Sequence, residues 1–102
     1  MTIKGIMKIF LFYVYILTSQ DNKVIYIGVT NNLKRRAEQH KKHQIPGFTA
    51  HYNVDKLVYF ETFDFIEDAI HREKQLKKWN REWKDNLIKT RNPDWNDLTP
   101  TL

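Results

Sequence analysis

Five polar side chains occupy positions at which the sequence pattern favours an apolar residue. Tyr15 and Tyr26 lie in two runs of residues that favour β-strands. Arg36 and His40 lie on the inner stripe of a segment with helical spacing, and Glu73 lies on the inner stripe of a second such segment. A charged side chain on an inner stripe is costly unless it is paired or bound to an ion, so these positions are candidates for chemistry.

These residue types suit the cleavage of a phosphodiester bond. The carboxylate of Glu73 can bind one divalent metal ion, which prefers oxygen ligands and keeps several waters. Such an ion polarises the phosphate and stabilises the leaving oxygen. The guanidinium of Arg36 can form paired hydrogen bonds to phosphate oxygens. A tyrosine or histidine near the attacking water can accept its proton, although a tyrosine needs a nearby cation to do so near neutral pH.

Each of these residues also has an ordinary structural explanation. Paired tyrosines in strands are usually core aromatics, an inward arginine and glutamate often form a buried salt bridge, and an inward histidine is usually a satisfied core group. The chemical interpretation therefore depends on whether one sheet surface brings these groups together. Other catalytic templates fail, because the sequence has no P-loop, no dinucleotide-binding glycine pattern and no HExxH, and His40 and His43 have no third partner for zinc.

The composition narrows the class of protein and of partner. The chain has 102 residues, no cysteine and a formal charge of +5 at pH 7, which suits one small domain and excludes disulfides, thiolate metal sites and a cysteine nucleophile. The lack of cysteine fits a reducing compartment, so we expect a cytoplasmic protein. The basic charge is concentrated in residues 31–43, with five basic and one acidic residue, and in residues 71–91, with eight basic and three acidic residues. We therefore expect an acidic partner, with nucleic acid ahead of an anionic membrane.

A pair of predicted strands positions the two tyrosines. Residues 9–17 form an unbroken apolar and aromatic run that is short of the roughly 20 residues of a membrane span. A signal-peptide core is the alternative, but residues 17–19 make a poor cleavage site. Residues 24–30 predict a second strand, and the short polar loop between the runs predicts an antiparallel hairpin. A symmetric loop sets Tyr15 opposite Tyr26 on one face of the sheet.

Periodicity and terminating residues predict the remaining elements. Asn31 or Asn32 can cap a helix of about 33–43, whose inner stripe includes Arg36 and His40 beside apolar residues. The other predicted elements are, in order, a loop over 44–53, a strand over 57–63, helices over 65–79 and 81–90, and an extended tail over 93–102 pinned by Trp95 and Leu98.

The helix predicted over 65–79 carries Glu73. Asp64 and Glu67 have the spacing of a capping box at its start. Its predicted inner stripe contains Ile66, Ala69, Ile70, Glu73 and Leu76.

Taken in order, these residues resemble the GIY-YIG nuclease superfamily. The segments that carry the resemblance are Tyr13-Val14-Tyr15, Tyr26-Ile27-Gly28, Arg36, His40, Gly47-Phe48-Thr49, Glu73 and Asn92-Pro93-Asp94-Trp95. The chain is similar to the small stand-alone bacterial endonucleases of that superfamily, and it resembles the catalytic domain of an excinuclease. The resemblance covers about residues 8–98, which we expect to form a single nuclease domain, with residues 1–7 and 99–102 as terminal tails.

The resemblance implies an α+β fold, with a three-stranded antiparallel sheet flanked by helices in the order ββαβαα. It also implies hydrolysis of phosphodiester bonds with one divalent ion, Mg²⁺ or Mn²⁺. Tyr15 and Tyr26 match the two motif tyrosines, and either can be the general base, with a slight preference for Tyr26. The other implied catalytic positions are Arg36 as the catalytic arginine, His40 at a position that often carries His or Tyr, Glu73 as the metal ligand, and Asn92 as the asparagine near the end of the domain.

One departure from the family pattern is Tyr13, which replaces the glycine of the first tripeptide. In the predicted register Tyr13 faces Gly28, where its ring would narrow the groove above the sheet. Since the chain carries no added DNA-recognition domain, we expect low sequence specificity.

The nucleic-acid-binding residues are expected to surround the catalytic group. Phosphate contacts are predicted for Lys34, Arg35, Lys41, Lys74, Lys77 and Lys78. Phe48 and Tyr52 can stack on unpaired bases, with simple loop packing as the alternative. The predicted function is a metal-dependent DNA endonuclease of low sequence specificity, with structure-specific or repair-related cleavage as its setting and no membrane partner. The alternative is a nucleic-acid-binding module or a partner-dependent subunit with little activity alone.

Overall fold

A three-stranded antiparallel sheet forms the centre of the protein. The structure, a computed structural model, describes residues 10–102, so the predicted tail over residues 1–7 and the start of the predicted domain at residues 8 and 9 lie outside it. The strands are β1 (Phe12–Thr18), β2 (Ile25–Thr30) and β3 (Lys56–Phe63), in the spatial order β2-β1-β3. β1 is central and almost wholly buried, as its unbroken apolar run predicts.

In the described part of the chain four helices flank the sheet. They are α1 (Leu33–Lys41), α2 (Phe48–His51), α3 (Ile66–Lys78) and α4 (Arg81–Arg91), and a 3₁₀ helix follows at Thr99–Thr101. α2 is a single turn inside the segment predicted as a loop. With α2 set aside, the helices confirm the predicted α+β fold and the order ββαβαα. Within residues 10–102, no helix combines the length and the apolarity that crossing a membrane requires.

The β1–β2 register differs from the predicted one by two residues. Tyr15 lies opposite Gly28, not opposite Tyr26. The reason is the turn, in which the Ser19 amide donates to the Val24 carbonyl at 3.0 Å and Asn22 takes a left-handed conformation with φ of 62°. A shift of two residues preserves the face of every side chain, so Tyr15 and Tyr26 still share one face.

Gly28 makes room for the ring of Tyr15. A Cβ atom at Gly28 would lie 2.5 Å from both Cζ and the hydroxyl oxygen of Tyr15. The prediction that Tyr13 covers Gly28 is wrong, because Tyr13 lies opposite Thr30 and its ring packs edge-on against Phe60 at 6.3 Å.

Gly28→Ala is expected to destabilise the fold by about 1–3 kcal/mol, because the added methyl group displaces a ring held in a packed core. Chemical denaturation measures the effect. The same substitution in a Tyr15→Ala background should cost much less, since the clashing ring is gone. An equal cost in both backgrounds would contradict this explanation.

The two faces of the sheet support different helices. The face with Val14, Ile16 and Ile27 packs against α3 and α4, and the face with Tyr15 and Leu17 packs against α1 and the segment after it. Because β2 is an edge strand, both layers reach the edge that it forms. Groups from opposite layers can therefore meet there.

An ion pair between β3 and α3 holds α3 on the sheet. The guanidinium of Arg72 donates to both carboxylate oxygens of Glu61, at 2.8 and 2.9 Å, and lies 5.2 Å from the centre of the Trp79 ring. This paired geometry is more directional than a single charged contact. It fixes the helix at the residue next to Glu73.

The start of α3 departs from the sequence prediction. Its N-cap is Phe65, without a side-chain hydrogen bond, so the predicted Asp64–Glu67 capping box is wrong. Ile66 and Ile70 are 36% and 40% exposed and do not belong to the inner stripe. Ala69 and Leu76, by contrast, are fully buried as predicted.

The C-terminal segment is bound to β3. The Leu98 amide donates to the Leu57 carbonyl at 2.8 Å, and the Leu57 amide donates to Asp97 at 3.3 Å. Trp95 is buried, as predicted for an anchor of this segment.

Candidate active site

A buried chain of hydrogen bonds links one residue from each of β1, α1 and α2. The Tyr15 hydroxyl lies 3.0 Å from Nε2 of His40, and Nδ1 of His40 lies 3.0 Å from Oγ1 of Thr49. All three residues are buried. The predicted cap at Asn32 is confirmed, and its side chain accepts from the Arg35 amide at 3.1 Å. This cap determines where α1 begins, and His40 consequently lies on the inner face of the helix.

Burial keeps both ends of the Tyr15–His40 contact neutral. It lowers the pKa of His40 to about 4, with a further lowering by Arg36 and a small opposing effect of Asp55. Burial also raises the pKa of Tyr15, with a second contribution from Tyr26 and an opposing one from Arg36. His40 is therefore a neutral imidazole near neutral pH, with one nitrogen that donates and one that accepts.

The buried neutral state of His40 should make the protein less stable in acid. The unfolded chain takes up a proton near the ordinary pKa of 6.5, whereas the folded protein does so only near 4. The free energy of unfolding should thus decrease by up to about 3 kcal/mol as the pH is lowered through that window. Denaturation at pH values across the window measures the loss. His40→Gln should lose less stability over the same range, and identical pH profiles for the two proteins would contradict the assignment.

Tyr26 extends this group to the edge of the sheet. Its ring centre lies 6.2 Å from that of Tyr15 and 5.7 Å from that of His40, and it stacks on Phe48 at 6.4 Å. Tyr26 and Phe48 line a cavity of about 430 Å³, to which α3 contributes Lys77. Tyr26 is therefore the tyrosine with access to a bound molecule, whereas Tyr15 is only 1% exposed.

Glu73 lies on α3, which packs on the other face of the sheet. Its carboxylate forms an ion pair with Lys77 at 3.0 Å and is 19% exposed. Because residues four apart share one side of a helix, Glu73 lies one turn from the lysine that lines the Tyr26 cavity. Glu73 is paired with Lys77 and not with Arg36, so the structure does not contain the buried ion pair that was the alternative explanation.

The donor set of Glu73 fits one type of metal ion. Residues 10–102 contain no group of three or more His, Asp or Glu side chains that could hold a metal. A single carboxylate is insufficient for a structural zinc or calcium site, but Mg²⁺ is commonly held by one or two carboxylates, with waters and substrate phosphate completing the shell. Glu73 is thus compatible with an ion shared between protein and substrate.

Asn92 does not join this group. It ends α4, and its amide nitrogen donates to the carbonyls of Val58 and Asn96, both at 2.9 Å. Its amide oxygen accepts from the Asn96 backbone at 3.0 Å. Val58 belongs to β3, at the edge of the sheet opposite β2. These contacts give Asn92 a structural role.

Asn92→Ala is expected to cost about 2–3 kcal/mol, because it leaves buried polar partners without hydrogen bonds. Asn96→Ala is a matched control, since Asn96 takes part through its backbone alone. Thermal or chemical denaturation compares the two variants. An Asn92→Ala protein as stable as the control but unable to cleave would contradict the structural role.

The basic residues predicted to bind phosphate are distributed over several surfaces. Lys77 lines the Tyr26 cavity, and Lys34 lines another beside Tyr13. Lys74 and Lys78 line a separate cavity. Arg35 is exposed, whereas Lys41 forms an ion pair with Asp97.

The two predicted stacking residues lie beside the site. Phe48 and Tyr52 are 47% and 50% exposed, and their ring centres are 4.9 Å apart. Together with Tyr26 they form a continuous aromatic surface from the cavity to solvent.

Three functional candidates have no counterpart in the sequence prediction. Arg81 and Lys84 also line the Tyr26 cavity, although Arg81 is bonded to the Lys23 carbonyl at 2.7 Å and to Asp85 at 2.6 Å. Thr49 is the third. Thr49 lies in the Gly47-Phe48-Thr49 segment of the family resemblance, but the sequence predicts a loop there, and no feature of the pattern indicates a contact with His40.

Comparison with known proteins identifies the family. The GIY-YIG catalytic domain matches residues 11–86 of this chain. This protein belongs to the GIY-YIG family. The match includes Tyr15, Tyr26, Arg36, His40 and Glu73 and ends before Asn92.

Several relatives match this chain over most of their own length. The chain is 40% identical over 78 residues to a UPF0213 protein of Pediococcus pentosaceus, covering 76% of this chain and 81% of that one. It is 39% identical over 79 residues to a UPF0213 protein of Clostridium perfringens, covering 78% and 84%. A solution NMR structure of a UPF0213 protein from Bacillus halodurans aligns with a TM-score of 0.55 and 27% identity, covering 87% of this chain and 94% of that one.

Membership of the GIY-YIG family indicates a nuclease with a nucleic-acid substrate, a class that generally uses divalent metal ions. In this GIY-YIG domain the two tripeptides are adjacent antiparallel strands, and Gly28 of the second makes room for Tyr15 of the first. The tyrosine at position 13 leaves that contact intact.

Proposed function

We propose that this protein is a metal-dependent endonuclease that hydrolyses phosphodiester bonds in DNA with low sequence specificity. The observation that carries the proposal is the meeting of two layers at the β2 edge. One layer supplies Tyr15, Tyr26 and His40, and the other supplies Lys77 and, one turn away, Glu73.

The access of each tyrosine to the cavity supports a division of roles. Tyr26 lines the cavity and is the group that would accept the proton of the attacking water. Tyr15 lies behind it, bonded to His40. Arg36, whose charge acts on both Tyr15 and His40, would hold phosphate oxygens and offset developing negative charge.

Glu73 would hold the divalent ion, either Mg²⁺ or Mn²⁺. When bound, the ion polarises the phosphate and stabilises the leaving oxygen. Lys77 keeps the carboxylate compensated in the free protein, and it can turn to a phosphate once the carboxylate is occupied.

The exposed Phe48–Tyr52 surface supports a substrate with unpaired bases next to the cleaved bond. Base stacking on aromatic rings is tolerant of sequence and contributes about 1–3 kcal/mol per base. Lys77 and Lys84 at the cavity supply charge for the phosphates. Branched, nicked or flapped DNA, as found in repair, presents both features.

The test is a cleavage assay on single-stranded, nicked, flapped, branched and fully paired DNA of one sequence. With Mg²⁺ or Mn²⁺ we expect product from substrates that contain unpaired bases, and none after chelation of the metal. Binding should weaken steeply with salt. Salt-dependent binding without product on any substrate would contradict the proposal and support a nucleic-acid-binding module instead.

A further inference from the structure

The function proposed above leaves the buried hydroxyl of Thr49 without a role. Thr49 is 5% exposed and His40 is 3% exposed, so water has little access to the bond between them. Oγ1 of Thr49 and the Tyr15 hydroxyl occupy the two nitrogens of one imidazole, each at 3.0 Å. The direction of one bond therefore determines the direction of the other.

A neutral imidazole allows two arrangements of this chain. In the first, Tyr15 donates to Nε2 of His40, and Nδ1–H donates to Thr49. In the second, Thr49 donates to Nδ1, and Nε2–H donates to Tyr15. Burial and the charge of Arg36 both keep the ring neutral, and the charge of Asp55 acts in the opposite direction.

Donor and acceptor strengths favour the first arrangement. A phenol is a stronger acid than an aliphatic alcohol, so Tyr15 is the better donor to the imidazole lone pair. The oxygen of an alcohol is a better acceptor than that of a phenol, whose lone pair is delocalised into the ring, so Thr49 is the better acceptor for Nδ1–H. Both comparisons therefore favour the arrangement in which Tyr15 donates to His40 and His40 donates to Thr49.

Resting on the proposed function, we infer that Thr49 is a positioning residue for the two tyrosines. By accepting from Nδ1 of His40, it directs the hydroxyl proton of Tyr15 inward and leaves the lone pairs of that oxygen facing Tyr26. When Tyr26 takes the proton of the attacking water, its own hydroxyl proton can then pass to Tyr15 and the Tyr15 proton to the bare Nε2 of His40, which becomes an imidazolium. In the reverse arrangement Nε2 already carries a proton and cannot accept one from Tyr15.

The contact between the tyrosines supports this coupling. Their ring centres lie 6.2 Å apart with the planes inclined by 34°. After burial, Tyr26 is the largest cause of the raised pKa of Tyr15. The ionisation state of one hydroxyl therefore affects the other.

The test compares Thr49→Val, which keeps the shape and loses the hydroxyl, with Thr49→Ser, which keeps the hydroxyl. Long-range ¹H–¹⁵N NMR spectra report which nitrogen of His40 carries the proton. In the wild type and in Thr49→Ser we expect the proton on Nδ1 and a bare Nε2, and in Thr49→Val a loss of that preference. The kcat of Thr49→Val should fall by about 10–100-fold with KM little changed, a loss of the size seen for residues that orient metal-bound histidines.

The outcomes separate this inference from the proposed function. A wild-type His40 with its proton on Nε2, or a Thr49→Val protein with unchanged tautomer and kcat, would overturn the inference. If the wild type binds DNA but cleaves none, the proposed function fails, and the tautomers still decide the role of Thr49. If Thr49→Val does not fold, the inference is tested by the tautomer of His40 in the wild type and by whether Thr49→Ser retains activity.

Discussion

Glu73→Gln is expected to lower the rate of DNA cleavage by about 10³-fold or more, equivalent to about 4 kcal/mol of transition-state stabilisation. Glutamine keeps the shape of the side chain but loses the charge that would hold the metal ion. Single-turnover cleavage with Mg²⁺ and with Mn²⁺ measures the loss.

Stability and DNA binding should change little in Glu73→Gln. The ion pair that is lost joins Glu73 to Lys77 on one helix, and the Lys77 side chain is 52% exposed. Such pairs contribute about 0.3–0.5 kcal/mol. Glu67→Gln is the matched control, because Glu67 is an exposed carboxylate in the first turn of the same helix. Equal cleavage by the two variants would remove Glu73 from the site.

Tyr26→Phe is expected to reduce the cleavage rate by about 10²–10⁴-fold, the range of a lost general base. Tyr26 lines the cavity, so removing its hydroxyl should affect the reaction more than the fold. The same kinetic assay, with a denaturation curve for each variant, measures both effects.

Tyr15→Phe is the matched comparison. It removes the partner of His40 inside the core, so it should cost about 1–3 kcal/mol of stability and reduce cleavage less than Tyr26→Phe. If Tyr15→Phe proves the more severe kinetic defect and Tyr26→Phe retains most of the activity, Tyr15 is the base and the assignment is reversed.

The sequence predicted the elements well where local patterns determine them. The apolar run of β1 and the cap at Asn32 are signals of this kind, and both are present in the structure. The hairpin register is not, because it depends on the left-handed conformation of Asn22 in the turn. The cap of α3 was missed because Phe65 occupies the N-cap without a side-chain hydrogen bond, so no capping side chain marks the start of the helix.

The candidate site was proposed from residues that break the hydrophobic pattern. His40 is an example, since a polar group that remains on an inner face needs partners, and His40 has two. Thr49 has no such signal. A threonine in a predicted loop breaks no pattern, and only the fold of α2 brings its hydroxyl to His40.

Predictions from family position and charge were less specific than those from pattern. Asn92 matched a family position, but its amide is fully engaged between α4 and β3. Lys41 and Lys74 belong to basic segments, yet Lys41 is paired with Asp97 and Lys74 lines a cavity separate from that of Tyr26. The net charge of a segment does not specify which side of its helix faces the substrate.

The proposed function requires that the β2 edge joins Glu73 and Tyr26 in one metal-dependent site. Titration of Mn²⁺ into ¹⁵N-labelled protein tests it most directly, because the paramagnetic ion broadens the amide signals of nearby residues. We expect broadening around Glu73 and along β2 at Tyr26, none around Asn92, and loss of the effect in Glu73→Gln. Broadening that persists in Glu73→Gln, or that leaves β2 untouched, would contradict the proposed function.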